Sequence, residues 1–141
     1  MLKGQIGRIC FSRIFEGEDL AEAVKKRVEE NGIKAGIFIL IGSLKNVIIG
    51  YYKEGQYMSI ELDGPLEIAS CMGNIAVDEK GEIVIHPHIV VANEKGKAFG
   101  GHLMKGSIVG ATAELVIIEG VGVNLLRAFD EKTSLNLWKL S

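Results

Sequence analysis

The sequence predicts an α+β fold: a largely antiparallel sheet of about seven to nine strands with one main helix at about residues 19–31. Three observations lead there. Only one segment repeats its apolar residues with helical spacing between recognisable caps. The other apolar runs are short and are separated by turn residues. Glycine makes up 18 of 141 residues beside only two prolines, nearly twice the ordinary share of about 7%. Glycines between apolar runs mark turns, bulges and close backbone approaches. At this length the chain reads as a single domain, 1–141, able to bury a core without staples.

Residues 7–15 (GRICFSRIF) alternate roughly between polar and apolar and read as a first strand. Glu16-Gly17-Glu18-Asp19 breaks it. Asp19 is a good N-cap, with Glu22 at the capping-box spacing. Leu20, Val24 and Val28 follow at four-residue steps, with Ala21 and Ala23 beside them. Lys25, Lys26, Arg27, Glu29 and Glu30 supply a wet face, and Asn31-Gly32 is a natural C-cap. Residues 34–41 are a near-continuous apolar run, which predicts a central strand buried on both faces. Residues 47–52 and 56–62 bracket Lys53-Glu54-Gly55 as a hairpin. Residues 66–72 form another strand, ended by Gly73. Turns at 78–81 and 93–96, each closed by glycine, flank a strand over 82–92. Residues 114–118 and 135–140 are the last strands, and 106–113 fit a strand and a short helix equally.

Composition narrows the functional classes. A net charge of −2 offers no broad cationic surface for phosphate backbones, so tight sequence-specific DNA binding by this chain alone is not expected. Cys10 and Cys71 form no CxxC, which excludes a cysteine zinc site and leaves two reduced, buried thiols as the expectation. The longest apolar stretch, residues 36–42, falls far short of the roughly 20 residues that span a bilayer. The opening residues lack a signal-peptide core. The expectation is a soluble, cytoplasmic protein with no membrane partner.

The histidines carry the chemistry. All three, His86, His88 and His102, lie within seventeen residues. His86 and His88 flank Pro87 within a strand, so both imidazoles point to one face. Pro87 cannot donate a ladder hydrogen bond, which places it at an edge or a bulge. If the turn at 93–96 closes a hairpin, His102 returns beside His88. Three convergent imidazoles suit Zn²⁺ or a similar divalent ion and leave a fourth position open. Glu67, which period-two alternation puts on one face with Cys71 and opposite Ser70, is a candidate to orient an imidazole or accept a proton. Arg13 is a candidate to pair with an anion.

Several segments together resemble a known family. Residues 13–20 (RIFEGEDL), 42–47 (GSLKNV), 64–74 (GPLEIASCMGN), His86-Pro87-His88, Gly96, 100–103 (GGHL) and 111–114 (ATAE) resemble, in order, the motifs of the PPC (plants-and-prokaryotes conserved) domain. The resemblance implies an α+β homotrimer. It also implies an association with DNA or a DNA-binding partner, because plant members join this domain to AT-hook segments. This sequence has no Arg-Gly-Arg-Pro hook. The histidine pattern is also similar to that of acetolactate decarboxylase, a zinc enzyme of similar fold. Two functional readings follow. The favoured one is a trimeric binding module carrying a three-histidine metal site. The other is a zinc-dependent lyase or hydrolase acting on a small carboxylated or carbonyl metabolite, with Glu67 moving protons and Arg13 holding the anionic ligand.

Overall fold

The computed structural model describes residues 1–140. The described residues form eight strands and one helix: β1 (Gln5–Phe15), α1 (Leu20–Glu30), β2 (Gly36–Lys53), β3 (Gln56–Val77), β4 (Ile83–Ala92), β5 (Ala98–Leu103), β6 (Ile108–Val121), β7 (Leu126–Asp130) and β8 (Leu135–Lys139). All belong to one sheet, ordered β1-β6-β2-β5-β4-β3-β7-β8. Every ladder is antiparallel except the short β3–β7 pairing at Val77 and Leu126.

The helix forms where its caps and spacing predict. The Asp19 side chain accepts from the Glu22 amide at 3.1 Å, and Asn31 closes the far end. Glu22 does not complete the box but pairs with Lys105 at 2.6 Å. Leu20, Val24 and Val28 are fully buried against the inner face of the sheet, and apolar burial of this kind is the main source of helix stability in proteins. Arg27 departs from the expected wet face. It donates to Glu18 and to Ser12 Oγ, each at 3.0 Å, and so ties α1 to β1.

Strands β2 and β3 are the longest, with 18 and 22 residues. They meet in a two-residue turn between Lys53 and Gln56, with Glu54 and Gly55 both at positive φ, as a type I′ hairpin turn requires. One side of β2 pairs with β3 along almost its whole length. The other side pairs with β6 up to Asn46 and then with β5 at Ile49 and Gly50. Since β5 also pairs with β4, and β4 with β3, strands β2, β3, β4 and β5 close on themselves. His102 lies in this closure, between His88 of β4 and Gly50 of β2.

The structure corrects some expectations and decides one left open. The apolar run at 34–41 is not buried on both faces: Phe38 and Leu40 point inward, but Ile37, Ile39 and Ile41 are about half exposed (51%, 47% and 57%). The run alternates by side, and both sides happen to be apolar. Gly73 does not end a strand. It sits within β3 opposite Pro87, where an added Cβ would lie 2.5 Å from the Phe38 ring, so its role is close packing. Residues 106–113 resolve as strand, continuous with 114–118 in β6. Strand β7, which lies in a short segment of mixed polarity, is not apparent in the sequence. Of the two cysteines, Cys71 is buried and Cys10 only half-buried; burial pushes the Cys71 thiol up to about 12.

Candidate metal centre

Strand β4 alternates in the ordinary way, with Pro87, Ile89 and Val91 buried and His86, His88 and Val90 on the opposite face. The β4–β5 ladder runs only from Ala92–Ala98 to His88–His102. Residues 83–87 of β4 therefore have β3 as their only ladder neighbour. Pro87 stands where the β5 ladder has just ended, so the predicted edge is local and the strand as a whole is interior. The turn at 93–96 is closed by the Gly96 amide donating to the Asn93 carbonyl at 2.8 Å. Gly100 and Gly101 then let β5 fit between two neighbours. A Cβ at Gly101 would lie 2.7 Å from the Gly50 carbonyl oxygen.

This local architecture brings the three histidines together. His88 and His102 are direct cross-strand partners, and one ligating atom from each of His86, His88 and His102 lies within 4.8 Å of the others. The ring centroids are 5.1 Å (His86–His88), 5.1 Å (His86–His102) and 5.6 Å (His88–His102) apart. Bonds of about 2.0–2.1 Å to a tetrahedral zinc place nitrogens roughly 3.4 Å apart. Small side-chain rotations would reach that spacing.

The rings differ in surroundings. His88 is exposed, while His86 and His102 are half-buried. Burial lowers the pKa of His86 to about 4, helped by the nearby Arg127 cation, His102 and His88. His102 is lowered by burial first, then by His88 and Arg127. Both rings are therefore neutral at pH 7, the state a metal needs. His102 Nδ1 is buried without a hydrogen-bond partner. An orphaned imidazole nitrogen beside two more imidazoles fits the donor set of a cation site.

Arg127, on β7, donates through Nη2 to His86 Nδ1 at 3.1 Å and to Asn74 Oδ1 at 2.8 Å. An arginine can only donate, so the neutral His86 ring carries its proton on Nε2. For Nε2 to hold a cation, the neutral ring would carry its proton on Nδ1 instead and give up the Arg127 bond. Tyr57 packs on His102 with a centroid distance of 5.0 Å, and Trp138 lies 5.9 Å from the Arg127 guanidinium. Arg127 and Trp138 are absent from the sequence-level site because nothing local marks them. Asn74 and Tyr57 become visible only once the pairing with His86 and the β2–β5 closure are known.

Glu67 and Arg13 are not at this centre in the protomer. Glu67 pairs across β3–β4 with Ala92, five residues beyond the His88 position opposite Met72, roughly 15 Å along the strand at its ordinary rise. It is exposed, with Thr112 and Glu114 in a shallow pocket. Arg13 donates to Thr112 Oγ1 at 2.9 Å. A register shift between Ile68 and Ser70 reverses the alternation, so Glu67 is exposed and Cys71 buried. The expectation that they share a face fails because a bulge adds one residue.

The family model of the Plants and Prokaryotes Conserved domain matches residues 1–121. That stretch contains all three histidines, while Arg127 and Trp138 lie beyond it. A metal-containing protein from Archaeoglobus fulgidus superposes with a TM-score of 0.90 at 32% identity, covering 99% of this chain and 98% of that one. A plant- and prokaryote-conserved protein from Pyrococcus horikoshii gives 0.89 at 36% identity, covering 99% and 94%. A Bacteroides thetaiotaomicron structure described as a candidate DNA binding protein shares the fold at 0.86 and 23% identity, covering 99% and 96%. Among curated proteins, the bifunctional protein GlmU of a Synechococcus strain is 29% identical over 124 residues. The match takes in 86% of this chain but only 18% of that protein, so this chain spans about a fifth of its length.

Proposed function

The chain belongs to the Plants and Prokaryotes Conserved domain family, and from that premise we propose that it is a trimeric binding module whose His86, His88 and His102 hold one divalent cation. The observation that carries the reading is the convergence of the three ring nitrogens. An all-imidazole donor set suits zinc. When bound, zinc with three protein ligands keeps an open position and acts there as a Lewis acid. The residues themselves do the rest. His102 offers a nitrogen with no other partner, His88 is reachable from solvent, and His86 is neutral.

The trimer is supported by the outer face of the sheet. Ile9 and Phe11 on β1, Ile37, Ile39 and Ile41 on β2 and Met72 on β3 are all exposed. Their registers join them into one band through Val116 and Ile118 of β6. A continuous apolar band on this scale marks an interaction surface. Met72 pairs with His88, so the band borders the cation site.

The enzyme reading assigned proton transfer to Glu67 and anion binding to Arg13, and both stand away from the histidines within one protomer. Three cavities partly walled by His86 have no carboxylate in their walls. Glu22, which lines the groove on the helix side of His102, is held by Lys105. The arrangement therefore favours binding over acid–base catalysis. Association with DNA is proposed to run through a partner, since this chain carries net charge −2 and few phosphate contacts can drive binding. No helix among the described residues is long and apolar enough to cross a membrane; a cytoplasmic location is part of the proposal.

Elemental analysis of protein purified without chelator tests the metal reading, with about one zinc or similar ion per chain expected. Protein that holds no divalent ion after dialysis against micromolar zinc would overturn it.

A further inference from the structure

Arg127 is the least comfortable charge in the molecule. It is only 8% exposed. Buried charges are ordinarily paired with an opposite charge, yet none of the ion pairs among the described residues includes it. Its hydrogen-bond partners are all neutral: the Asn136 carbonyl from Nη1, and Asn74 Oδ1 and His86 Nδ1 from Nη2. A guanidinium has five N–H groups, so two remain, one on Nη1 and the one on Nε. The Nε group is buried without a partner.

Arg127 also borders two small cavities. Arg127, His86, His102 and Tyr57 help line a cavity of about 180 Å³ under the β7–β8 hairpin. A neighbouring cavity of about 250 Å³ is walled by Asn74, His86, Arg127, Leu137 and Trp138. Both are smaller than the 300–1,000 Å³ typical of sites for drug-sized ligands. Neither contains a carboxylate. A divalent cation on the histidines would add further positive charge and deepen the deficit.

We propose that the cavity between the histidine triad and the β7–β8 hairpin binds a small oxyanion, a carboxylate or phosphate group, with Arg127 as its charge partner. Guanidinium donors match such oxygens in geometry and charge. Tyr57 lines the same cavity, and Leu137 and Trp138 allow the ligand a compact apolar body. The proposal concerns the same site as the cation and builds on that reading. It assigns the ligand class through a residue that lies beyond the stretch matched by the family model.

The test uses the full chain in two states, zinc-loaded and chelator-treated, in a low-salt buffer without coordinating ions. Acetate and inorganic phosphate are titrated separately by calorimetry and by fluorescence of Trp138, the only tryptophan. The zinc-loaded wild type is expected to bind one of the two with Kd below about 1 mM. The Arg127→Gln variant should bind it at least about tenfold more weakly, and Arg127→Lys, which keeps the charge but loses the fork, should fall between. Whichever anion binds identifies the ligand group as planar or tetrahedral. If Arg127→Gln does not fold, the Arg127→Lys variant and the wild-type titration decide.

The proposal is overturned if neither anion binds wild-type protein in either state, or if Arg127→Gln binds as tightly as wild type. Zinc retention is read separately. Zinc held without anion binding sinks the anion site and spares the metal. Arg127-dependent anion binding in a protein that holds no zinc does the reverse.

Discussion

The histidine stretch of the β3–β4 ladder and its Glu67 end differ in chemistry. In the histidine stretch, Asn74 and Met72 face His86 and His88, His86 and His102 are half-buried while His88 is exposed, and His86 is held near pKa 4 by burial and by Arg127. At the other end, Glu67 lies beside Thr112 and Glu114 in open solvent, with Arg13 bonded to Thr112. Both regions contain residues that look catalytic in isolation. Only the first gathers several of them within reach of one another beside a buried charge, which changes its neighbours' behaviour. The difference arises from closure. The β2–β5 pairing at Gly50–His102 brings His102 beside His88, whereas the cross-strand partners of Glu67 are Ser43 and Ala92.

Ligand removal should separate the two regions most sharply. His88→Ala is expected to weaken zinc binding at least about 100-fold, more than typical losses from supporting residues. The exposed position of His88 should leave the fold intact, as circular dichroism would show. Unchanged zinc affinity would mean that the exposed ring is a bystander.

The apolar band comes next. Ile39→Asp should convert a species of about three times 15.3 kDa into a monomer, read by light scattering at micromolar concentration. A wild-type protein already monomeric at that concentration would remove the assembly from the account.

The third prediction concerns pH. The His86 pKa is lowered in the folded state, from 6.5 to about 4. Between those values the unfolded chain binds more protons than the folded one, so stability rises with pH across the window. The metal-free protein should therefore lose thermal stability as pH falls from about 6.5 towards 4, and His86→Gln should flatten that slope. Zinc should steepen the loss, since protons displace it from the rings. A melting temperature that does not change across this range would contradict the buried, neutral assignment of His86.

The smallest effect should come from the Glu67 end. Glu67→Gln is expected to change stability by no more than about 0.5 kcal/mol and to leave zinc affinity as it is. A large loss of zinc would show that Glu67 reaches a histidine site after all, through assembly with a neighbouring subunit.

Much of this was legible from the residues alone. The helix could be read because Asp19, Asn31 and the Leu20–Val24–Val28 spacing are local signals. The shared face of His86 and His88 follows from strand periodicity, and the return of His102 from the Asn93–Gly96 turn. What escaped depends on contacts distant in sequence. The bulge between Ile68 and Ser70 leaves no clear mark in Glu67-Ile68-Ala69-Ser70, yet it reverses which residues face water. The half-exposed Ile37, Ile39 and Ile41 read as buried because an apolar run alone does not say which of its two faces meets the core. Arg127 looked like any arginine; its burial comes from a hairpin folding back onto β3, with Tyr52 donating to the Thr133 carbonyl to hold it there.

The central claim is that three side chains from two strands form one cation site. Anomalous X-ray diffraction from zinc-loaded crystals at the zinc edge addresses it directly. The account predicts a single strong peak per chain, within about 2.1 Å of one ring nitrogen from each of His86, His88 and His102. A peak beside Glu67 and Glu114 instead, or none at the histidines after zinc loading, would contradict it.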